Sequence, residues 1–292
     1  MIKIRVPATS ANLGTGFDIL GLAVSLYATF RIEASTAYQF ENVESAYANE
    51  KNLFITSYEY ALKHLNLPTT KLKLRIDSEV PIARGLGSSA TLIVGGLCAA
   101  YALHKRPLNR IELLQMASHI EGHPDNVAPA IYGGLKSSTK KEDGTYDVIN
   151  HPLHPSLHFS FIIPNFELST HTSRSILPKT YSKEDLDHNT ACVELLLKGL
   201  ETGSFDLIHQ GLDDRLHQPY RFPLIQESSL IFEKLQQAGF NDYYLSGAGP
   251  TFGLIHTQEI PSSLKSSLYQ LRGQWNCLTL AIDTQGVHIT YA

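Results

Sequence analysis

Residues 81–90 read Pro81-Ile82-Ala83-Arg84-Gly85-Leu86-Gly87-Ser88-Ser89-Ala90, and an apolar run over residues 91–103 follows without a break. Glycines at 85 and 87 let a backbone curl tightly round a bulky anion, and the small residues after them can open a helix whose free N–H groups point at it. The stretch reads as a phosphate cradle at the head of a buried helix. No lysine follows the glycines, so it is not a Walker A loop, and the Rossmann glycine pattern is incomplete. Two serine hydroxyls, the helix dipole and the flanking Arg84 remain to complement an anion. A glycine turn that merely precedes a core helix is the plainer alternative, and the rest of the chain has to decide between the two.

Upstream of the cradle, residues 71–77 alternate as a strand that feeds it, and residues 52–65 place Leu53, Phe54, Tyr58, Ala61, Leu62 and Leu65 at helical spacing. Downstream, Asn109 is placed to cap a helix that runs through Ile111, Leu114, Met116, Ala117 and Ile120 to Glu121. That helix ends in Glu121-Gly122-His123-Pro124-Asp125-Asn126, which gathers two carboxylates, an imidazole and an amide on a rigid turn. A carboxylate at a helix C-terminus opposes the dipole, and a bound cation, Mg2+ in particular, relieves that cost. A solvated helix end followed by an Asx turn is the alternative.

The N-terminal residues 2–6 alternate as a strand, and residues 6–18 read as a loop of small polar side chains and glycines that can bring Ser10, Asn12 and Asp18 to a ligand. Asn12 and Asp18 are equally suited to capping turns. Strands are expected over residues 20–33, 132–139 and 146–149, and residues 151–155, with two prolines and two histidines, read as a connector. In the second half a strand over residues 157–164 leads to a hydroxyl-rich turn, residues 167–174, whose Arg174 can hold a carboxylate or phosphate through its fork. Helical periodicity covers residues 185–200, 205–216 and 225–238, with Arg221 between the last two. Residues 244–255 set a glycine turn between two strands, and so many glycines point to close packing, with the first cradle as a candidate partner. A helix over residues 264–271 and strands over residues 277–282 and 287–291 close the chain.

A length of 292 residues suits two domains sharing a cleft. With 18% charged residues and a net charge of -4, the chain has no polybasic character, so nucleic acid and anionic membranes are not expected partners and small molecules are. Cys98, Cys192 and Cys277 stand far apart in an odd count, against a disulfide framework or a zinc site. The first residues look like a strand and not an export signal, so a cytoplasmic location is expected. Residues 86–103 carry no charge, but three glycines, two serines and the anion loop favour a buried helix over a membrane span.

Taken together, three stretches carry a resemblance. Residues 81–90 resemble the second motif, P-x-x-x-G-L-G-S-S-A, of the GHMP kinase family (galactokinase, homoserine kinase, mevalonate kinase and phosphomevalonate kinase), residues 6–18 resemble its first motif and residues 246–253 its third. Within that family the loop at residues 7–18, residues 123–129 and Pro219-Tyr220-Arg221 resemble the homoserine kinases. The resemblance implies an α+β fold of two domains, an ATP-binding domain over residues 1–152 with a left-handed β-α-β unit and a ferredoxin-like domain over residues 153–292, with the site between them. A homodimer is common among such relatives. The implied reaction moves the γ-phosphoryl group of ATP to the hydroxyl of L-homoserine, on the route to threonine.

Residue by residue, the resemblance assigns Pro81, Ile82, Ala83, Arg84, Gly85, Leu86, Gly87, Ser88, Ser89 and Ala90 to the triphosphate, Asn52 to the adenine side, and Ser88 with Glu121 to Mg2+. Asn12, Asp18, His123, Asn126 and Gly247 would meet homoserine, while Arg174 and Arg221, helped by Thr170, clamp its carboxylate. Asn126 stands where mevalonate kinases resemble one another in an aspartate base, with Asp125 beside it. Because phosphoryl transfer has a loose transition state, Asn126 and Arg174 are expected to act by positioning and Asp125 as a structural or auxiliary group. Another small-alcohol kinase of the same fold and a nucleotide-binding regulator without catalysis are the rival readings.

Overall fold

The computed structural model describes residues 1–291. The first half runs β1 (Ile2–Ala11), β2 (Leu20–Ser35), β3 (Gln39–Glu41), α1 (Leu53–His64), β4 (Lys71–Ser78), α2 (Ser88–Leu103), α3 (Arg110–Glu121), α4 (Val127–Tyr132), β5 (Leu135–Lys140) and β6 (Tyr146–His151). The second runs β7 (His158–Ile163), α5 (Thr170–Ser175), α6 (Lys183–Thr202), α7 (Phe205–Gly211), α8 (Gln218–Arg221), a 3-10 turn (Phe222–Leu224), α9 (Ser228–Gln237), β8 (Tyr243–Leu245), β9 (Phe252–His256), α10 (Ser262–Tyr269), β10 (Asn276–Leu280) and β11 (His288–Tyr291).

Two sheets organise the chain. The larger has the order β11-β1-β2-β4-β3, with β5 and β6 continuing from the N-terminal part of β2. The long β2 serves both branches: Leu20–Leu22 pair with β5, whereas Ala28–Ser35 pair with β4. An irregularity between Pro7 and Ala8 shifts the β1–β2 register and lets the strand bend between them. The smaller sheet is antiparallel with the order β10-β7-β9-β8. Taken by sequence that is 4-1-3-2 with helices after the first and third strands, the β-α-β-β-α-β arrangement of a ferredoxin-like unit. The last strand, β11, returns to pair with β1. A single division after residue 152 therefore leaves one strand of the first sheet with the second half.

Helix α2 is buried on almost every side because α1, α3 and β1 all pack on it. Its Gly96 permits this: a Cβ there would stand 2.2 Å from the carbonyl oxygen of Phe54 in α1. Helix α1 starts at Asn52, whose side chain accepts from the Phe54 amide at 2.9 Å, and α3 starts at Asn109, which accepts from Ile111 and Glu112. A second, smaller core gathers Trp275, Phe252, Leu235 and Ile231 under the smaller sheet, with Phe252 and Trp275 stacked at 5.7 Å.

Two expectations are corrected. The loop expected from residue 6 begins only at Asn12, because Thr9 and Ser10 pair with Ala23 and Leu22 and are fully buried. With both faces covered, the alternation that announces a strand disappears. The strand expected from residue 132 starts at Leu135, since residues 127–132 form α4. Among the described residues no helix is long and apolar enough to cross a membrane.

Candidate active site

The two halves of the chain together line a cavity of about 1080 Å3 that takes in the glycine loop. Gly85 (φ +74°) and Gly87 (φ +69°) both occupy the left-handed region, and Gly87 is the N-cap of α2. The curl is fastened from the second unit. Ser246 Oγ donates to the Gly85 carbonyl at 2.6 Å, and Ser10 Oγ joins Ser246 Oγ at 2.8 Å and the Tyr244 hydroxyl at 3.1 Å. Phe30, Val43, Tyr47, Leu53 and Ile76 give one end of the cavity an apolar lining, with Glu44 and Lys51 beside them, while Glu121, His123, Asp125, Arg174 and Arg221 gather at the other, charged end.

At the charged end α3 delivers Glu121 and stops at Gly122. Ser89 Oγ donates to Glu121 Oε2 at 2.7 Å. Burial pushes the Glu121 carboxyl above its ordinary range, against the Ser89 hydrogen bond and the His123 charge. Asp125, 2% exposed, accepts from His123 Nδ1 at 2.5 Å and from the Asn126 amide at 2.8 Å. Asn126 Oδ1 accepts from Thr9 Oγ1 at 2.8 Å, which ties this turn to the end of β1.

Two arginines complete the site. Arg174, from α5, forks onto Asp18 with contacts of 2.5 and 3.1 Å, and Asp18 is held in turn by its amide on Asn12 Oδ1 at 3.0 Å. Arg221 is 1% exposed and has no such counter-ion among its hydrogen-bond partners: Nε donates to the Ser173 carbonyl at 3.2 Å, and Nη1 to the Gly247 carbonyl at 3.2 Å and to His217 Nδ1 at 3.1 Å. Burial first, and the neighbouring Arg174 charge second, lower its pKa to about 10. A buried guanidinium with uncharged partners is costly unless an anion arrives.

The whole chain, including the stretches that build this site, has relatives among known proteins. Residues 52–134 match the GHMP kinases N terminal domain and residues 196–271 the GHMP kinases C terminal domain. The chain is 37% identical over 291 residues to a homoserine kinase of Clostridium botulinum (strain 657 / Type Ba4), covering 98% of this chain and 97% of the relative. It is 39% identical over 299 residues to one of Clostridium beijerinckii, covering 99% and 98%. The chain belongs to the homoserine kinase family of GHMP kinases. The crystal structure of homoserine kinase from Cytophaga hutchinsonii superposes on it with a TM-score of 0.86 at 26% identity over 99% of this chain and 97% of the other. A mevalonate kinase at 14% identity, with a TM-score of 0.67, shares the fold.

In this homoserine kinase family member, Asn12, Asn52, Ile82, Ala83, Arg84, Gly85, Gly87, Ser88, Ser89, Glu121, His123, Asp125, Asn126, Thr170, Arg174, Arg221 and Gly247 all line the one cavity. Leu86 and Ala90 instead point into the core, fully buried, and neither they nor Pro81 line it; Asp18 is joined to it through Arg174. Arg84 is not a free charge complement. Its guanidinium donates to the carbonyls of Pro164, Asn165 and Ile82, a tie between the two units. Both ends of the Asn52 amide are likewise committed, to the Phe54 amide and the Tyr47 carbonyl. It is Ser89, and not Ser88, that meets Glu121.

Asp18, His123 and Asp125 each bring a possible ligand atom within 4.8 Å of the others. Their charges are already matched, Asp18 by Arg174 and Asp125 by His123. Thr9, Phe17, Ser246 and His217 escaped the sequence reading. Thr9, Phe17 and Ser246 lie inside the motif stretches without a role of their own being assigned to them, and His217 stands one helical turn before Arg221.

Burial opposes a charged His123, yet the hydrogen bond and charge of Asp125, with Glu121 adding, outweigh it and raise its pKa above the ordinary 6.5. A raised folded-state value stabilises the protein below the unfolded pKa, and that contribution is lost as pH climbs through the folded one. The difference in Tm between wild type and His123→Gln is accordingly expected to be about a few degrees below pH 6.5 and to shrink as pH rises above it. A pH-independent difference in thermal melts would remove the charged pair from the account.

Proposed function

We propose that this chain transfers the γ-phosphoryl group of ATP to the side-chain hydroxyl of L-homoserine, giving O-phospho-L-homoserine. The carrying observation is the charge pattern at the polar end of the cavity, a buried Arg221 with uncharged partners beside the Asp18–Arg174 pair. An α-amino acid brings a carboxylate for the arginines and an ammonium for Asp18, so it can replace the internal ion pair and leave no charge stranded. A sugar brings neither charge, and a hydroxy acid such as mevalonate brings only one. The homoserine kinase relatives support the same acceptor.

Adenine is assigned to the apolar end and the triphosphate to the loop at Gly85 and Gly87 and the first amides of α2. A carboxylate and hydroxyls, without thiol or imidazole, fit Mg2+, with Glu121 and Ser88 as its protein ligands and Ser89 orienting the carboxylate. Bound there, Mg2+ supplies charge neutralisation on the phosphate oxygens. Asn126, fixed by Thr9, positions the acceptor hydroxyl, while Arg174, Arg221 and Asp18 hold the other end of the amino acid. Asp125 already accepts from His123 and from the Asn126 amide, so it acts by holding that turn in place. Three unpaired cysteines accord with a reducing cytosol.

The test offers L-homoserine, D-homoserine, L-serine, mevalonate and galactose in parallel and follows ATP consumption with Mg2+. Turnover is expected with L-homoserine and near background with the rest; preferred turnover of mevalonate or a sugar would overturn the acceptor, and none with any acceptor despite ATP binding would leave a regulator. Arg174→Ala should raise the homoserine KM about 100-fold and the ATP KM less than about threefold, since two charge-assisted hydrogen bonds are lost on one substrate only.

A further inference from the structure

Resting on the assignment of Arg221 to the substrate carboxylate, we propose that His217 is a positioning residue for homoserine, its neutral imidazole holding the Arg221 guanidinium at the angle the carboxylate requires. His217 is fully buried and precedes α8, so its side chain meets that of Arg221 one turn later. Nε2 lies 2.7 Å from the Gly14 carbonyl oxygen and 3.5 Å from Asp214 Oδ2. Both are acceptors, so the proton sits on Nε2, and Nδ1 is left as a lone pair aimed at Arg221 Nη1, 3.1 Å away. Burial disfavours the imidazolium, in keeping with that tautomer.

The imidazole is itself fixed on all sides. Its ring stacks on Phe17 at 5.0 Å and 20°, and the same Phe17 ring lies 5.2 Å from the Arg221 guanidinium carbon and 5.8 Å from that of Arg174. The turn before α8 is pinned by Asp214, which accepts from the amides of Leu216, His217 and Gln218. With Nε and Nη1 committed to Ser173, Gly247 and His217, Nη2 is the guanidinium nitrogen to which no protein hydrogen bond is assigned, in a residue that lines the cavity. A neutral acceptor suits this place better than a carboxylate would. It orients the guanidinium without neutralising it, so the full charge remains for the substrate.

The test separates acceptor loss from general damage. In His217→Asn the amide oxygen stands where Nδ1 was and the link to Arg221 survives; in His217→Gln the amide nitrogen stands where Nε2 was and the link is lost; His217→Ala loses both. Steady-state kinetics with L-homoserine and with 3-aminopropan-1-ol, the same acceptor without its carboxylate, are compared, with thermal melts to establish folding. The expected result is a homoserine KM raised about tenfold in Gln and Ala and restored to within about threefold in Asn. The ATP KM stays unchanged, and so does the KM for 3-aminopropan-1-ol. A loss shared by both acceptors, or a homoserine KM that stays at the wild-type value in Gln and Ala, would overturn the role of His217. Arg221→Lys keeps the two failures apart: if it too leaves the homoserine preference over 3-aminopropan-1-ol intact, the carboxylate clamp itself is wrong.

Discussion

Glu121→Gln should lower kcat by about 100-fold or more while the protein melts close to the wild-type temperature. The amide is isosteric and can still accept from Ser89, so packing at the end of α3 is preserved. The negative charge beside the phosphate loop is what disappears, and removing one preorganised electrostatic group from such a site typically costs about 100- to 1,000-fold. Helix ends with a carboxylate at the C-terminus are mildly disfavoured, so the variant loses no intrinsic helix stability. The half-saturating Mg2+ concentration should rise together with the fall in kcat. A kcat within about threefold of wild type, or an unchanged Mg2+ dependence, would remove Glu121 from the metal site.

The second large effect is expected at Gly85, where Ala should lower both stability and nucleotide affinity. With φ at +74° a side chain is strained in any case, and a Cβ would stand 2.4 Å from the Ser246 carbonyl oxygen and 2.9 Å from that of Gly249. Both neighbours are backbone, so the two units must move apart and the Ser246-to-Gly85 hydrogen bond weakens. Left-handed strain of about 1–2 kcal/mol and a lost hydrogen bond of about 0.5–1.5 kcal/mol give roughly 1.5–3.5 kcal/mol before the clash is counted. Gly144 is the control. Its φ is +85°, yet nothing lies within 4 Å of its would-be Cβ, so Gly144→Ala carries the strain alone. Thermal melts and ATP KM of the two variants separate the contributions: a Gly85→Ala protein no worse than Gly144→Ala would mean that the contact with Ser246 does not hold the loop.

The sequence by itself determined the parts whose chemistry is local. Gly85 and Gly87 before an uncharged run can be read as a left-handed curl opening a buried helix, because positive φ and the burial of an uncharged helix are properties of the residues themselves. The same holds for the caps at Asn52 and Asn109 and for Glu121 at a helix end, where the spacing of side chains along one helix suffices. Even the packing of the turn between β8 and β9 on the glycine loop was announced by its own glycines.

Only the tertiary structure decided which of these groups meet. Thr9 reaches Asn126 across 117 residues, Ser246 reaches Gly85 across 161, and Asp18 meets Arg174 across 156, contacts set by sheet pairing and by the docking of the two units. Tertiary contact also redirected residues that looked functional: Arg84 became a tie to the carbonyls of Pro164 and Asn165, and Leu86 and Ala90 turned into the core. The return of β11 to β1 lies beyond local reading for the same reason, since a strand's own pattern says which face it buries but not which strand it will lie beside.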